Sequence, residues 1–174
     1  MLKEWLMAIK KSYIKQIFKE IIIFIVLIFI ISSIINYFRA PKIDNSYLNY
    51  LSGKTITGED VEKFKSKMPL VVHFWGTWCP ICKQEASTIN DIAKRDNLLS
   101  VAIDSGDDKK LLSWMKKRGL SYPVLNDKSG NLAKKFKITV FPTTIIFDKS
   151  GKIKFIETGY TTKLGLISRI KLAN

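Results

Sequence analysis

The stretch Val72-His-Phe-Trp-Gly-Thr-Trp-Cys-Pro-Ile-Cys-Lys-Gln-Glu85 joins two patterns in fourteen residues. Its first part continues the apolar run Leu70-Val-Val-His-Phe-Trp75, which reads as a buried strand. Its second part opens a helix over Cys79 to Arg95. At the junction Cys79 takes the N-cap and Pro80 the first helical position, where a missing N–H costs nothing and a fixed φ suits the helix start. A cysteine so placed faces unpaired backbone N–H groups and the positive end of the helix dipole, which favour thiolate over thiol. Cys82, one turn on, shares the helix face and lies within disulfide reach. The pair reads as redox-active, one sulfur attacking and the other resolving.

Two other uses of such a pair compete with this one. A purely structural bridge inside one helical turn closes so short a loop that it removes little entropy from the unfolded chain. A four-ligand zinc site of Cys and His is excluded, because Cys79, Cys82 and His73 are the chain's whole supply of those residues. Cu(I) held by two thiolates stays open as a binding role of another class.

Outward from the motif, the chain alternates strand and helix. Leu98 to Asp104 reads as a strand and Asp107 to Arg118 as a helix, followed by a short helix over Asn131 to Phe136. Thr143 to Phe147 and Lys152 to Glu157 form a strand pair turning at Ser150-Gly151, and Lys163 to Ala173 is a closing helix. This order predicts an α/β fold with a mixed central sheet covered by helices on both faces. At 174 residues there is room for one such domain and an appendage, which excludes a multidomain enzyme. With 47% apolar and 25% charged residues the chain is composed as an ordered globular protein.

The appendage is N-terminal. Ile21 to Phe38 is an 18-residue uncharged run, about 27 Å as a helix and close to the hydrocarbon thickness of a bilayer. Its centre, Ile21 to Ile31, is wholly Ile, Val, Leu and Phe and lacks the polar stripe of a core helix. A cleaved signal would end in a small-x-small site, which Ser32 to Ala40 does not contain, so an uncleaved transmembrane anchor is the preferred reading. Lys3, Lys10, Lys11, Lys15 and Lys19 against Glu4 and Glu20 keep the N-terminus cytoplasmic and send the rest across the membrane. The expected division is a basic segment over 1–20, an anchor over 21–38, a linker over 39–50 and a domain over 51–174. Ten extended linker residues reach only about 33 Å, so the domain works near the membrane.

The net charge of +14 invites a nucleic-acid reading. The lysines of the domain are scattered in pairs such as Lys109-Lys110 and Lys134-Lys135, without the interleaved aromatics of a single-strand-binding strip. No nucleic-acid partner is expected. A solvated surface facing anionic lipid or cell wall accounts for the charge.

The segment Val72 to Glu85 resembles the active-site segment of membrane-anchored, thioredoxin-like disulfide oxidoreductases of bacteria, the TlpA/ResA type and especially its suppressor-for-copper-sensitivity D (ScsD) branch. Tyr122-Pro-Val-Leu-Asn-Asp127, Gly130 and Val140-Phe-Pro-Thr-Thr-Ile-Ile-Phe-Asp-Lys-Ser-Gly151 resemble later segments of the same family in order and spacing. The resemblance implies a thioredoxin fold with Pro142 in cis beside the sulfurs, and a substrate groove lined by Trp78, Pro80, Phe141 and Pro142. Phe141 would form one side of its apolar rim and Trp78 the other.

It also implies protein thiols and disulfides as substrates, a membrane electron donor or acceptor as partner, and no metal or organic cofactor. Glu85 matches a family glutamate near the cysteines and is a candidate proton acceptor. His73, where thioredoxin carries a buried acid, is a second candidate; Asp104 reads as a loop or capping residue. The expected function is disulfide exchange outside the cytoplasm, in the inner membrane with the domain periplasmic, serving redox homeostasis or copper-stress tolerance. The alternative within the family is reduction of apocytochrome c.

Overall fold

The computed structural model describes residues 2–174, with side chains from Tyr13 onward. The side chains of Lys3, Lys10 and Lys11, part of the expected cytoplasmic segment, lie outside the described residues. The chain divides into two compact units, residues 1–38 and 39–174.

The first unit belongs to one helix, α1 (Leu2–Arg39). Within it Tyr13–Arg39 is long and apolar enough to cross a membrane. Phe24, Phe29 and the isoleucines between them are half or more exposed, as a helix made to meet lipid would present them.

The second unit runs through a 3-10 helix (Asn45–Tyr50), α2 (Glu62–Lys65), β1 (Leu70–Trp75), α3 (Pro80–Ala93), β2 (Leu98–Ile103), α4 (Asp108–Lys116), β3 (Val124–Asp127), α5 (Asn131–Lys135), β4 (Thr143–Phe147), β5 (Ile153–Thr158) and α6 (Lys163–Ala173). Its five-stranded sheet has the order β3-β2-β1-β4-β5. β1, β2 and β3 are mutually parallel, while β4 runs antiparallel to both β1 and β5.

β1 is buried on both faces, and its residues alternate between two core layers. Val71 and Trp75 face the layer built from Ile89 and Ile92 of α3, Leu111 and Met115 of α4, and Leu166 and Ile170 of α6. Leu70, Val72 and Phe74 face the layer containing Phe64 of α2, Ala133 of α5, Phe136 and Phe147. This is the mixed sheet expected from the strand and helix order, in the thioredoxin-like form that the resemblance implied.

The helix starts follow from local caps. Cys79, Asp107 and Thr162 cap α3, α4 and α6, their side chains accepting N–H groups of Cys82, Lys110 and Gly165. The peptide bond Phe141–Pro142 is cis, as the resemblance implied, and so is Met68–Pro69, which nothing in the sequence announced.

Three elements depart from the sequence reading, one of them α2, a single turn in a stretch with no expected element. β3 pairs with β2 in a stretch that the sequence marks only by its family-like motif, and Val124 is fully buried there. Within the expected linker, Asn45–Tyr50 is a 3-10 helix packed on the domain. Tyr47 meets Phe136 edge-on at 5.7 Å, and Asp44 caps the turn through the Ser46 N–H at 2.8 Å. Polar residues at 44–46 resemble a linker locally, but Tyr47 and Leu48 find an apolar surface that only the folded chain supplies.

Candidate active site

Cys79 and Cys82 form a disulfide at the start of α3, with Cα atoms 5.3 Å apart. Both are buried, and Cys79 Sγ accepts the Cys82 N–H at 3.2 Å. That N–H is one of the unpaired donors of the first helical turn, and after reduction it faces a Cys79 thiolate. Pro80 and Ile81 between the sulfurs are exposed, so the pair is approached over the helix end rather than from the core.

The loop before β4 closes the other side. Phe141 O lies 3.9 Å from Cys79 Sγ, and Pro142 is buried, its carbonyl accepting the Gly159 N–H at 2.8 Å. Trp78 is 49% exposed, and its ring meets Phe141 edge-on at 5.3 Å. The two aromatics therefore touch one another beside the sulfurs instead of facing each other across a groove, because Trp78 Nε1 donates to Ile103 O at 3.0 Å and draws the indole toward β2.

Two residues that the sequence reading passed over hold this arrangement. A Cβ on Gly76 would stand 2.6 Å from the Trp78 indole, so only glycine leaves the ring its place. Ser105 Oγ accepts the Thr77 N–H and donates to Ile103 O, both at 3.0 Å, tying the loop before Cys79 to the end of β2. The glycine between two tryptophan-bearing positions was a local signal; Ser105, 28 residues beyond Thr77, gave none. Asp104 is an exposed loop residue with φ 45, in the left-handed region.

Glu85 is completely buried on the next turn of α3. Its Oε1 accepts the Thr161 N–H at 3.1 Å, while Oε2 is buried without a hydrogen-bond partner. Burial raises its pKa from 4.5 to about 7, and the Thr161 bond opposes that shift only in part. A carboxyl poised there can take or give a proton at neutral pH.

His73 sits in mid-β1, its Nδ1 2.9 Å from Thr144 Oγ1 on β4. Burial lowers its pKa from 6.5 to about 3, so the ring is neutral at physiological pH. Among the described residues no group of three or more His, Cys, Asp or Glu side chains gathers in a metal-holding cluster.

Residues 39–156 match the AhpC/TSA family. The chain belongs to that family. It is 31% identical over 165 residues to a thioredoxin-like protein of Haemophilus influenzae, covering 92% of this chain and 96% of that one. It is 30% identical over 131 residues to the thiol-disulfide oxidoreductase ResA of Bacillus thuringiensis, covering 73% of each. The fold matches a secreted disulfide oxidoreductase of Mycobacterium tuberculosis with a TM-score of 0.61 at 23% identity, over 73% of this chain and 98% of that one. This family member is thus a thiol-disulfide oxidoreductase of thioredoxin fold.

Proposed function

We propose that this oxidoreductase is anchored by residues 21–38, with its domain outside the cytoplasm, and exchanges disulfides with protein substrates through Cys79 as nucleophile and Cys82 as resolving thiol. The observation that carries the reading is the Cys82 N–H directed at Cys79 Sγ from the first turn of α3. It stabilises negative charge on one sulfur of the pair, which makes Cys79 the better thiolate and the better leaving group.

In the reducing direction, Cys79 thiolate attacks a substrate disulfide; one substrate sulfur leaves as thiolate and the other joins Cys79. Cys82 gives up its proton and attacks Cys79, forming the intramolecular disulfide and releasing the second substrate thiolate. Glu85, one turn from Cys82 and half-ionised near neutrality, is the proton acceptor we assign for that step. Trp78, Pro80, Phe141 and Pro142 are the surface against which the substrate chain docks. No metal or organic cofactor enters these steps.

The anchor is supported by the extent of the Haemophilus influenzae match, too long for the domain alone and so running into α1. A membrane electron donor or acceptor is the matching partner. Delivery of reductant to apocytochrome c and copper-stress thiol handling are the two candidate duties, and the potential of the pair separates them. A value near about −270 mV makes a reductant; one near about −120 mV makes an oxidant or thiol handler.

The test is trapping. Cys82→Ser should accumulate mixed disulfides on Cys79, visible as thiol-sensitive adducts by mass spectrometry, whereas Cys79→Ser should not. Equal trapping by both would void the assigned roles. Stoichiometric Cu(I) binding by the reduced chain with no disulfide turnover would move it to the copper-binding class.

A further inference from the structure

The exposed lysines of the domain are not evenly placed. Four of them gather around the 3-10 helix Asn45–Tyr50 from separate parts of the chain. Lys42 precedes the helix, and its carbonyl accepts from the Lys137 ammonium at 3.1 Å. Lys137 Nζ stands 5.7 Å from the Tyr47 ring centroid and Lys135 Nζ 5.5 Å from that of Tyr50. Asn45 Oδ1 accepts the Ile153 N–H at 2.8 Å, which brings the β4–β5 turn and Lys152 alongside.

All four lysines are exposed, and Tyr50 is 45% exposed. The carboxylates in the same region, Asp44 and Asp148, are engaged by N–H and hydroxyl groups of their own turns. The lysines outnumber them, and the surface is a basic one studded with tyrosine, the composition found where proteins meet phospholipid headgroups.

Chain length favours that partner. Five residues, 40–44, separate Arg39 at the end of α1 from Asn45, a reach of about 20 Å when extended. The densest basic run in the sequence, Lys109 to Arg118, belongs to α4, which packs on the opposite face of the sheet from the 3-10 helix.

We propose that the surface around the 3-10 helix binds the phosphate headgroups of anionic phospholipid, with Lys42, Lys135, Lys137 and Lys152 as the contacting cations and Tyr50 seated at headgroup depth. The proposal rests on the membrane-anchored reading of α1. It gives the domain a fixed side toward the bilayer, so that substrates are met on the remaining surface rather than at random orientations of a flexible tether.

The full chain in lipid nanodiscs tests it, with lysines labelled by a water-soluble amine reagent and rates read residue by residue by mass spectrometry. In phosphatidylcholine discs containing phosphatidylglycerol, Lys135, Lys137 and Lys152 should label about fivefold or more slowly than in phosphatidylcholine alone. High salt should restore their rates, while Lys109, Lys116 and Lys117 of α4 stay unchanged throughout. The double variant Lys135→Glu, Lys137→Glu should return Lys152 to its rate in neutral discs and leave reduction of a soluble protein disulfide unaltered. Equal rates in the two kinds of disc, or slowing confined to α4, would overturn the proposal. Failure of the anchor reading looks different: the chain would not remain with neutral discs on gel filtration, whatever its lysines do.

Discussion

Glu85 and Thr161 are joined across 76 residues of sequence by one hydrogen bond, the Thr161 N–H donating to Oε1 at 3.1 Å, while the second carboxyl oxygen is buried with no partner. The bond fastens α3, which carries the cysteines, to the residue preceding the N-cap of α6. It also leaves a carboxyl that burial holds protonated up to about pH 7.

A group whose folded pKa is raised from 4.5 to about 7 binds its proton more tightly in the folded state, so its contribution favours folding below pH 4.5 and is lost as pH rises through 7. Glu85→Gln keeps the acceptor for Thr161 and removes the ionisation. The oxidised variant should be more stable than the parent at pH 8, by on the order of 3 kcal/mol, and equal to it near pH 4.5. Urea unfolding at the two pH values measures this. In the reduced protein, the same variant should lose the rise near pH 7 in the rate at which Cys82 resolves a mixed disulfide, and an unchanged profile would remove Glu85 from proton transfer.

His73 has the opposite sign. Its folded pKa of about 3 lies below the ordinary 6.5, so the unfolded chain binds the extra proton and stability falls as pH drops from 6.5 through 3. Between pH 4.5 and 6.5 the His73 and Glu85 slopes oppose each other, each about 1.4 kcal/mol per pH unit, and their contributions should cancel to a plateau. Glu85→Gln should expose a loss on acidification in that window, and His73→Gln a gain. Identical slopes in both variants would show that neither group controls acid stability.

The Trp78 indole occupies the space a side chain at residue 76 would need. Gly76→Ala should push the ring off Ile103 O and away from Phe141, with a stability loss of about 1 kcal/mol for the broken bond. We expect reaction with a small aromatic disulfide to stay within about twofold and kcat/KM for a protein disulfide to fall by about tenfold, the size of one lost docking contact. A parallel loss with both substrates would mean the ring supports the cysteines themselves.

Topology has a direct readout. A reporter active only outside the cytoplasm, fused after Asn174, should be active, and one that works only inside should be silent. The reverse result would place the domain on the cytoplasmic side and remove the exported reading.

What the sequence determined by itself is what neighbouring residues decide among themselves. The cysteine pair at a helix start follows from Cys79-Pro80 and the cap geometry; the anchor follows from a run of apolar residues that needs no partner in the chain; and β1 and α3 follow from contrasting periodicities on either side of Gly76. Tertiary structure alone decided the rest. β3 is four residues, half of them polar, and becomes a strand because the open edge of β2 offers hydrogen bonds and a buried site for Val124. Asn45–Tyr50 becomes part of the domain because Phe136, far along the chain, supplies the surface for Tyr47. The electrostatic character of the site was least legible: Glu85 holds its proton and His73 refuses one because water is excluded from both, and exclusion of water is a property of packing from distant elements that no local pattern records.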